Sequence, residues 1–377
     1  MESNSLINNI KQINVMGNLQ NLSGTVILYV IYITIICSAI FYYFYIKRLP
    51  TSECDLFNNL YSTINSNVAP LNKVDPNCGF LFRDYYIKTA YNCCSGGSYK
   101  NDYVSLCILK NILLQGVRGL DLELYSIKGQ PVVATSTTDS YYIKETFNYI
   151  NFSEVLQTII SNAFSNSTCP NPTDPLIIHL RIKSSNNKMY QKLAEIFKSN
   201  ETKILGKEYS YENERQNLGE IPILNLQGKI IIIIDKSNST FMECKDLYEF
   251  VNMASNSIFM RALNYYNIQY SPDLNELIEY NKRCMTIAMP DKGTDPANPS
   301  GILVRETGSQ MIAMRYQNYD TNLEENEMFF NKAGYAFALK PANFRYVQQT
   351  IQKPPAQDPA LSYATRTVSS DYYSFNI

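Results

Sequence analysis

The sequence predicts an α/β protein whose main domain is a TIM-type (β/α)8 barrel, preceded by one N-terminal transmembrane helix. Two observations lead to this fold class. About eight short apolar segments alternate with segments of helical periodicity, which is the pattern of a parallel sheet flanked by helices. Ahead of them, residues 24–46 form a run of 23 residues without a charged side chain. A helix of that length is long enough to cross a bilayer.

Overall composition excludes some classes of function. The chain has 377 residues with 33 basic and 34 acidic side chains, so no polybasic surface for nucleic acid is indicated. It contains a single histidine, His179, and no tryptophan. A mechanism that needs two histidines therefore requires substitutes.

The N-terminal region divides into three predicted parts: a polar segment at 1–23, a transmembrane helix at 24–46 and a lead-in at 47–84, irregular from Thr51. Three tyrosines crowd the end of the apolar run, and Lys47 and Arg48 follow at once, as at a membrane interface. The run is too long for a signal peptide, and no small-residue cleavage site follows it. We therefore expect a permanent single-pass membrane anchor.

The side of the membrane on which the domain lies stays open. Lys47 and Arg48 weakly favour the cytosol, whereas five glycosylation sequons favour the other side. That many sequons arise by chance in a chain so rich in asparagine. Nine cysteines without zinc-site spacing permit one or two disulfides but do not identify them.

The barrel is predicted to occupy residues 85–345, followed by a tail at 346–377. Its strands are predicted at residues 85–91, 116–125, 131–134, 176–182, 230–234, 284–288, 310–316 and 335–339. Its helices are predicted at residues 102–114, 152–164, 188–197, 248–254, 274–280 and 323–330. Five consecutive isoleucines at 230–234 indicate a strand buried on both faces.

The segment 116–125 is the most informative of these strands. Leucine alternates there with Asp121 and Glu123, so one face is apolar and the other acidic. The two carboxylates lie roughly 7 Å apart on the same side. An acidic face within a barrel is costly unless a metal ion, a basic side chain or a basic ligand meets it. Arg181 and Lys183, at the end of the strand 176–182, are candidate basic side chains.

Several segments, in this order, resemble the X half of the phosphoinositide-specific phospholipase C catalytic barrel, in the PLC-like phosphodiesterase superfamily. Residues 87–92 resemble the segment that ends in Ser-Ser-His-Asn, and residues 116–125 resemble the Gly-x-Arg-x-x-Glu-x-Asp strand. Residues 131–136 fall where the family has a His-Gly pair, and residues 175–184 resemble the strand that ends in a calcium-binding glutamate.

Residues 301–339 resemble the end of the family's Y half. The family closes this half with a Gly-Tyr-x-Leu-Lys-Pro motif. In this chain Gly334-Tyr335 is separated from Leu-Lys-Pro by two more residues than in that motif. The resemblance implies an X-like half at 85–200 and a Y-like half at 260–345.

The activity that this resemblance implies is phosphoric diester hydrolysis, in which two histidines act as general acid and base and calcium activates the inositol hydroxyl. The family's histidines correspond here to Tyr91 and Thr135, so both imidazoles are replaced. Losing one general catalyst alone forfeits a factor of roughly 10² to 10⁴ in rate.

The family's calcium ligands correspond to Asn92, Asp121, Glu123 and Arg181. A guanidinium cannot bind calcium, but it can pair with both carboxylates. Bacterial members of the superfamily likewise have an arginine where the animal enzymes hold calcium. We therefore expect no metal or other cofactor, with Arg181 in place of calcium. These four residues and Lys183 are the expected binding residues.

His179 is the remaining candidate for acid–base chemistry. It lies two residues before Arg181 and should face the same side, one layer deeper in the barrel. A buried, hydrogen-bonded structural histidine is the interpretation that we favour.

Three functions remain open. The first is a membrane-anchored, catalytically degenerate barrel, a pseudoenzyme that binds phospholipid or phosphate or serves as a structural module. The second is an active, calcium-independent hydrolase of phosphatidylinositol-type lipids that uses His179 or Tyr91, with Arg181 as electrophile. The third is a membrane-tethered attachment or assembly protein. The expected partners are the bilayer and a phosphoinositide or other anionic headgroup.

Overall fold

The computed structural model describes residues 2–64, 66–138, 142–211, 217–348 and 365–377. The chain forms two compact units, residues 1–345 and residues 346–377. The second unit contains one antiparallel pair of short strands, Thr367–Ser369 with Ser374–Asn376.

The first unit alternates strands and helices along most of its length. Its strands are β1 (Tyr85–Ala90), β2 (Gly119–Ile127), β3 (Gln130–Val133), β4 (Ile150–Asn151), β5 (Leu176–Lys183), β6 (Ile230–Asp235), β7 (Met253–Ser255), β8 (Met260–Asn264), β9 (Met285–Met289), β10 (Met311–Met314) and β11 (Phe337–Leu339). Its helices are α1 (Glu2–Thr63), α2 (Leu106–Leu114), α3 (Phe152–Ala163), α4 (Asn187–Ser199), α5 (Lys245–Tyr248), α6 (Tyr265–Gln269), α7 (Leu274–Arg283), α8 (Gly301–Glu306) and α9 (Thr321–Ala333).

A nearly closed barrel of eight parallel strands forms the centre of the described chain. The strands lie in the order β7-β6-β5-β2-β1-β10-β9-β8, and β7 packs beside β8 to bring the two edges together. Every hydrogen-bonded pair along this path is parallel. The predicted TIM-type fold is therefore confirmed.

Two predicted barrel strands lie outside the barrel. The run at 131–134 gives β3, which turns back as an antiparallel partner of β2, and the run at 335–339 gives β11, which pairs antiparallel with β1. Two other strands, β7 and β8, take their places. The prediction of a helix over residues 248–254 was wrong, because α5 ends at Tyr248 and β7 begins at Met253. Short apolar runs do not distinguish a helix from a strand by periodicity alone.

The alternation along the central strands separates two buried layers. Ile230, Ile232 and Ile234 of β6 pack in the layer between strands and helices, whereas Ile231 and Ile233 pack in the barrel interior. The leucines of β2 likewise lie in the outer layer with Ile178 and Leu180 of β5. The residues between them, Asp121, Glu123, His179 and Arg181, consequently face the interior.

α1 is longer than the predicted membrane helix. It is continuous from Glu2 to Thr63, and its stretch from residue 24 contains an apolar window of mean hydropathy 2.3, none of it buried. The irregular lead-in expected from Thr51 is therefore helical as far as Thr63. The reason is tertiary packing, since Phe57 and Tyr61 are buried against the core of the barrel. A disulfide between Cys54 and Cys107 joins α1 to α2.

Candidate binding site at the carboxyl ends of the strands

The site is assembled by the pairing of β2 with β5. Asp121 lies opposite His179 and Glu123 lies opposite Arg181 in the parallel register. Asn92 follows β1 with a φ of 44°, a left-handed conformation that asparagine tolerates better than most residues. Its backbone N–H donates to Asp121 Oδ2 at 3.3 Å. Two neighbouring strands and one loop therefore converge on the Asp121 carboxylate.

The Arg181 guanidinium lies at the centre of this cluster, with its side chain 2% exposed. It donates from Nη1 to Glu123 Oε1 at 2.6 Å, from Nη2 to Asp121 Oδ2 at 2.7 Å, and from Nε to Asp121 Oδ1 at 3.0 Å. Nη2 also donates to Asn92 Oδ1 at 2.9 Å. The ring centroid of Tyr91 lies 4.5 Å from Arg181 Cζ, a cation–π distance. The structure thus brings together five of the residues that the sequence singled out.

All four carboxylate oxygens of Asp121 and Glu123 accept hydrogen bonds. Beyond the contacts from Arg181, His179 Nδ1 lies 2.7 Å from Asp121 Oδ1. Glu123 Oε2 accepts from the Tyr125 hydroxyl at 2.7 Å and from the Ser136 backbone N–H at 3.0 Å. These residues do not fit calcium, which binds through oxygen lone pairs that are already committed to donors here. Within the ranges that the structure describes, no group of three or more His, Cys, Asp or Glu side chains is placed to hold a metal ion.

The charges stabilise the ionised form of the cluster. Burial by itself raises the pKa of Asp121, but the Arg181 charge and the hydrogen bond from His179 outweigh it and hold that pKa well below its ordinary value. Burial lowers the pKa of Arg181, yet the charges around it, Asp121 first, raise the pKa above that of a free arginine. Burial and the Glu123 charge raise the pKa of Tyr125. The hydroxyl of Tyr125 therefore stays protonated and acts as a donor.

His179 is enclosed on both sides. Because the Asp121 carboxylate carries no proton, Nδ1 of His179 is the donor in that contact, and Nε2 faces Ser255 Oγ at 2.9 Å. Ser255 Oγ lies 3.3 Å from Asp235 Oδ1, and both His179 and Ser255 are fully buried. The geometry places His179 one layer below Arg181 and is that of a structural, hydrogen-bonded histidine.

Tyr91 and Thr135, which correspond to the family's histidines only by the resemblance, both have hydrogen-bond partners in the structure. Tyr91 is buried, and its hydroxyl accepts from Lys292 Nζ at 3.4 Å. Thr135 is also buried and donates from Oγ1 to the carbonyl of Tyr99 at 3.1 Å.

A cavity of about 180 Å³ opens above the cluster at the carboxyl ends of the strands. Two of the predicted residues, Arg181 and Lys183, line it together with Asp235. Amide and hydroxyl side chains make up much of the remaining wall, namely Ser237, Asn238, Asn256, Asn264 and Asn267. Asn264 Oδ1 is buried without a hydrogen-bond partner in the described chain, so the wall retains an acceptor for a ligand.

Four residues of the site escaped the sequence analysis. Tyr125 continues the alternation of Asp121 and Glu123 and could have been found from it. Ser255 lies on β7, a strand that was interpreted as part of a helix. Asp235 is the last residue of β6 and Lys292 follows the end of β9, and neither strand end gave a further signal in the sequence.

The fold and the site together define a barrel of the phosphoinositide phospholipase C class. The chain matches the family models "Phosphatidylinositol-specific phospholipase C, X domain" over residues 81–236 and "Phosphatidylinositol-specific phospholipase C, Y domain" over residues 236–343. It therefore belongs to the phosphatidylinositol-specific phospholipase C family.

Solved structures show the same fold. The crystal structure of S. officinalis PLC21 aligns with a TM-score of 0.55 at 16% identity, covering 73% of this chain and 39% of that one. L. pealei PLC21 aligns with a TM-score of 0.55 at 18% identity, covering 74% of this chain and 40% of that one. The chain thus spans about two fifths of the length of these proteins. A comparison with curated protein sequences gave no match.

Proposed function

We propose that this chain is a membrane-anchored phospholipase C-like barrel that binds a phosphorylated lipid headgroup without cleaving it. The observation that carries the proposal is the Arg181 guanidinium, which fills the space between Asn92, Asp121 and Glu123 and engages both carboxylates. In this proposal Arg181 permanently replaces the calcium of the family.

The lack of a general base and a general acid at the expected positions supports a binding role. Cleavage requires a base for the inositol hydroxyl and an acid for the leaving oxygen. Tyr91 and Thr135 stand at those positions, and both nitrogens of His179 are engaged below the cavity floor. Loss of one general catalyst alone reduces the rate by a factor of roughly 10² to 10⁴, and loss of both costs at least as much.

The cavity wall supports the ligand class. Lys183 supplies a cation at the mouth, and the amide side chains supply both donors and acceptors, which suit a ring with several hydroxyl groups. Asn92 Nδ2 is buried without an acceptor in the described chain, so a donor remains beside Arg181. An inositol-type phosphate combines the hydroxyl groups and the negative charge that these side chains recognise.

Membrane anchorage is supported by α1, whose apolar part is exposed along its length. An exposed apolar stretch of this size is typical of a segment that lies in a membrane.

Calorimetric titration of the full chain in detergent with inositol phosphate and with inorganic phosphate tests the binding. We expect Lys183→Gln to weaken binding by about 10- to 100-fold, the effect of one charge-assisted hydrogen bond of about 1.5–3 kcal/mol. The matched control is Lys192→Gln, because Lys192 is exposed on α4 and pairs only with Glu195 in the described chain.

Turnover is measured in parallel on vesicles that contain phosphatidylinositol. Release of inositol phosphate at a rate that falls in Arg181→Ala would overturn the proposal in favour of an active hydrolase. Absence of binding to either phosphate would favour the attachment or assembly function.

A further inference from the structure

α1 and α2 lie side by side and run in the same direction. Cys54 is joined to Cys107, and one turn further on Asn111 Nδ2 donates to Asn58 Oδ1 at 2.7 Å. At the far end, Gln115 Nε2 lies 3.4 Å from the carbonyl of Tyr61. Residue numbers increase in the same direction in both helices along these contacts, so the two helices are parallel.

The direction of α2 fixes the direction of α1. α2 begins after the loop at the carboxyl end of β1 and leads into the amino end of β2. α1 therefore approaches the barrel from the end where the strands terminate and the cavity opens. A second contact agrees, because the Glu53 carboxylate lies directly against Gly96 in the β1–α2 loop, where a side chain would clash with it.

The apolar part of α1 lies just beyond this end of the barrel. The uncharged run ends at Ile46, seven residues before Glu53, and the helix is unbroken between them. At 1.5 Å per residue the separation is about 10 Å along the helix axis. The end of the barrel at which the cavity opens thus lies about 10 Å along the helix axis from the end of the apolar run, near the outer edge of a headgroup layer about 5–8 Å thick.

Resting on the anchorage and headgroup binding proposed above, we propose that α1 holds the cavity against the membrane from which the helix emerges. The ligand is then a headgroup of the same bilayer, not one presented by an opposing membrane. The junction is rigid, because Phe57 and Tyr61 are buried in the barrel core, the Tyr61 hydroxyl donates to the carbonyl of Tyr316 at 2.6 Å, and a disulfide joins the helices.

The absence of tryptophan from the chain provides a direct test. A single tryptophan is introduced either at Ile143 or at Val74, two exposed aliphatic positions at opposite ends of the barrel. Ile143 follows Tyr142, which lines the cavity, whereas Val74 follows Leu71, whose N–H donates to Asp174 ahead of the amino end of β5. The full chain is reconstituted into phosphatidylcholine vesicles that contain a lipid with a nitroxide on its headgroup.

We expect the nitroxide to quench the fluorescence of Ile143→Trp severalfold more than that of Val74→Trp. Replacing residues 49–52 by glycine and serine should remove this difference, because the helix is then no longer rigid between membrane and barrel. Equal quenching at both positions, or a difference that persists after residues 49–52 are replaced, would contradict the proposed orientation of the barrel. Failure of the chain to float with the vesicles would instead contradict the anchorage itself.

Discussion

Replacing Arg181 by methionine removes the guanidinium but keeps an unbranched apolar side chain in place of the arginine stem. Two carboxylates, Asp121 and Glu123, are then left in a fully buried site without their cation. Removing one partner of a buried ion pair costs about 3–5 kcal/mol, because the remaining charge is no longer compensated. Domains of this kind unfold with a free energy of about 5–15 kcal/mol, so the loss is a large share of the total.

The pH dependence of that loss distinguishes charge from packing. In the wild type the pKa of Asp121 is lower in the folded chain than in the unfolded one, so its contribution is present above an ordinary carboxyl pKa of about 4 and is lost below it. In Arg181→Met the effect of burial prevails and the pKa of Asp121 rises. The free energy of unfolding of the variant then falls as the pH rises above about 4. The difference in this free energy between wild type and variant is therefore largest near neutral pH and smaller in acid.

Urea unfolding of the full chain in detergent, followed by circular dichroism at several pH values, measures this deficit. The matched control is Arg261→Met, because Arg261 forms a two-pronged pair with Glu276 at the surface. Exposed pairs contribute about 1 kcal/mol or less. A deficit no larger than that of the control, or one that does not change between pH 7 and pH 4, would refute the argument.

Three further outcomes follow from the same contacts. Arg181→Glu recreates the family's set of one amide and three carboxylates, so calcium should raise the melting temperature of this variant and leave the wild type unchanged; an unresponsive variant would contradict the assignment of the site. Cys54→Ser opens the bridge to Cys107, across a sequence separation of 53 residues, and should lower the free energy of unfolding by about 3–4 kcal/mol under non-reducing conditions, whereas an unaltered urea midpoint would exclude the bridge. Burial and the neighbouring Asp102 raise the pKa of Glu53 to about 9, so the folded chain loses stability as the pH rises from about 4.5 to 9. Glu53→Gln should therefore melt at a higher temperature than the wild type at pH 8 and at a similar temperature at pH 4, and thermal scans at the two pH values check this.

The cluster around Arg181 could be predicted because its signal is local. Asp121 and Glu123 alternate with leucine, and His179 and Arg181 alternate with Ile178 and Leu180, so each strand reveals which side chains share a face. Parallel neighbours then place those faces together at one end of the barrel.

The parts that escaped prediction depend on contacts distant in sequence. β7 has three residues and β8 mixes Arg261 and Asn264 with apolar residues, so neither has a clear alternation. The last turns of α1 carry Phe57 and Tyr61 at helical spacing, although the segment from Thr51 was expected to be irregular. This segment is kept helical by its burial against the barrel, a contact that cannot be inferred from the sequence alone.

If α1 spans a membrane as proposed, its unbroken course makes the orientation of the barrel sensitive to bilayer thickness. As a helix, the run of 23 uncharged residues measures about 34 Å, which exceeds the hydrocarbon thickness of most membranes. If tilting alone absorbs the excess, the helix inclines by about 37° in a bilayer of ~27 Å and by about 15° in one of ~33 Å. Because the barrel is fixed to the end of this helix, it turns through the same ~20° between a thin membrane and a thick one. An anchored chain of this design would therefore present its cavity to the lipid surface at an angle that differs from one organelle to the next.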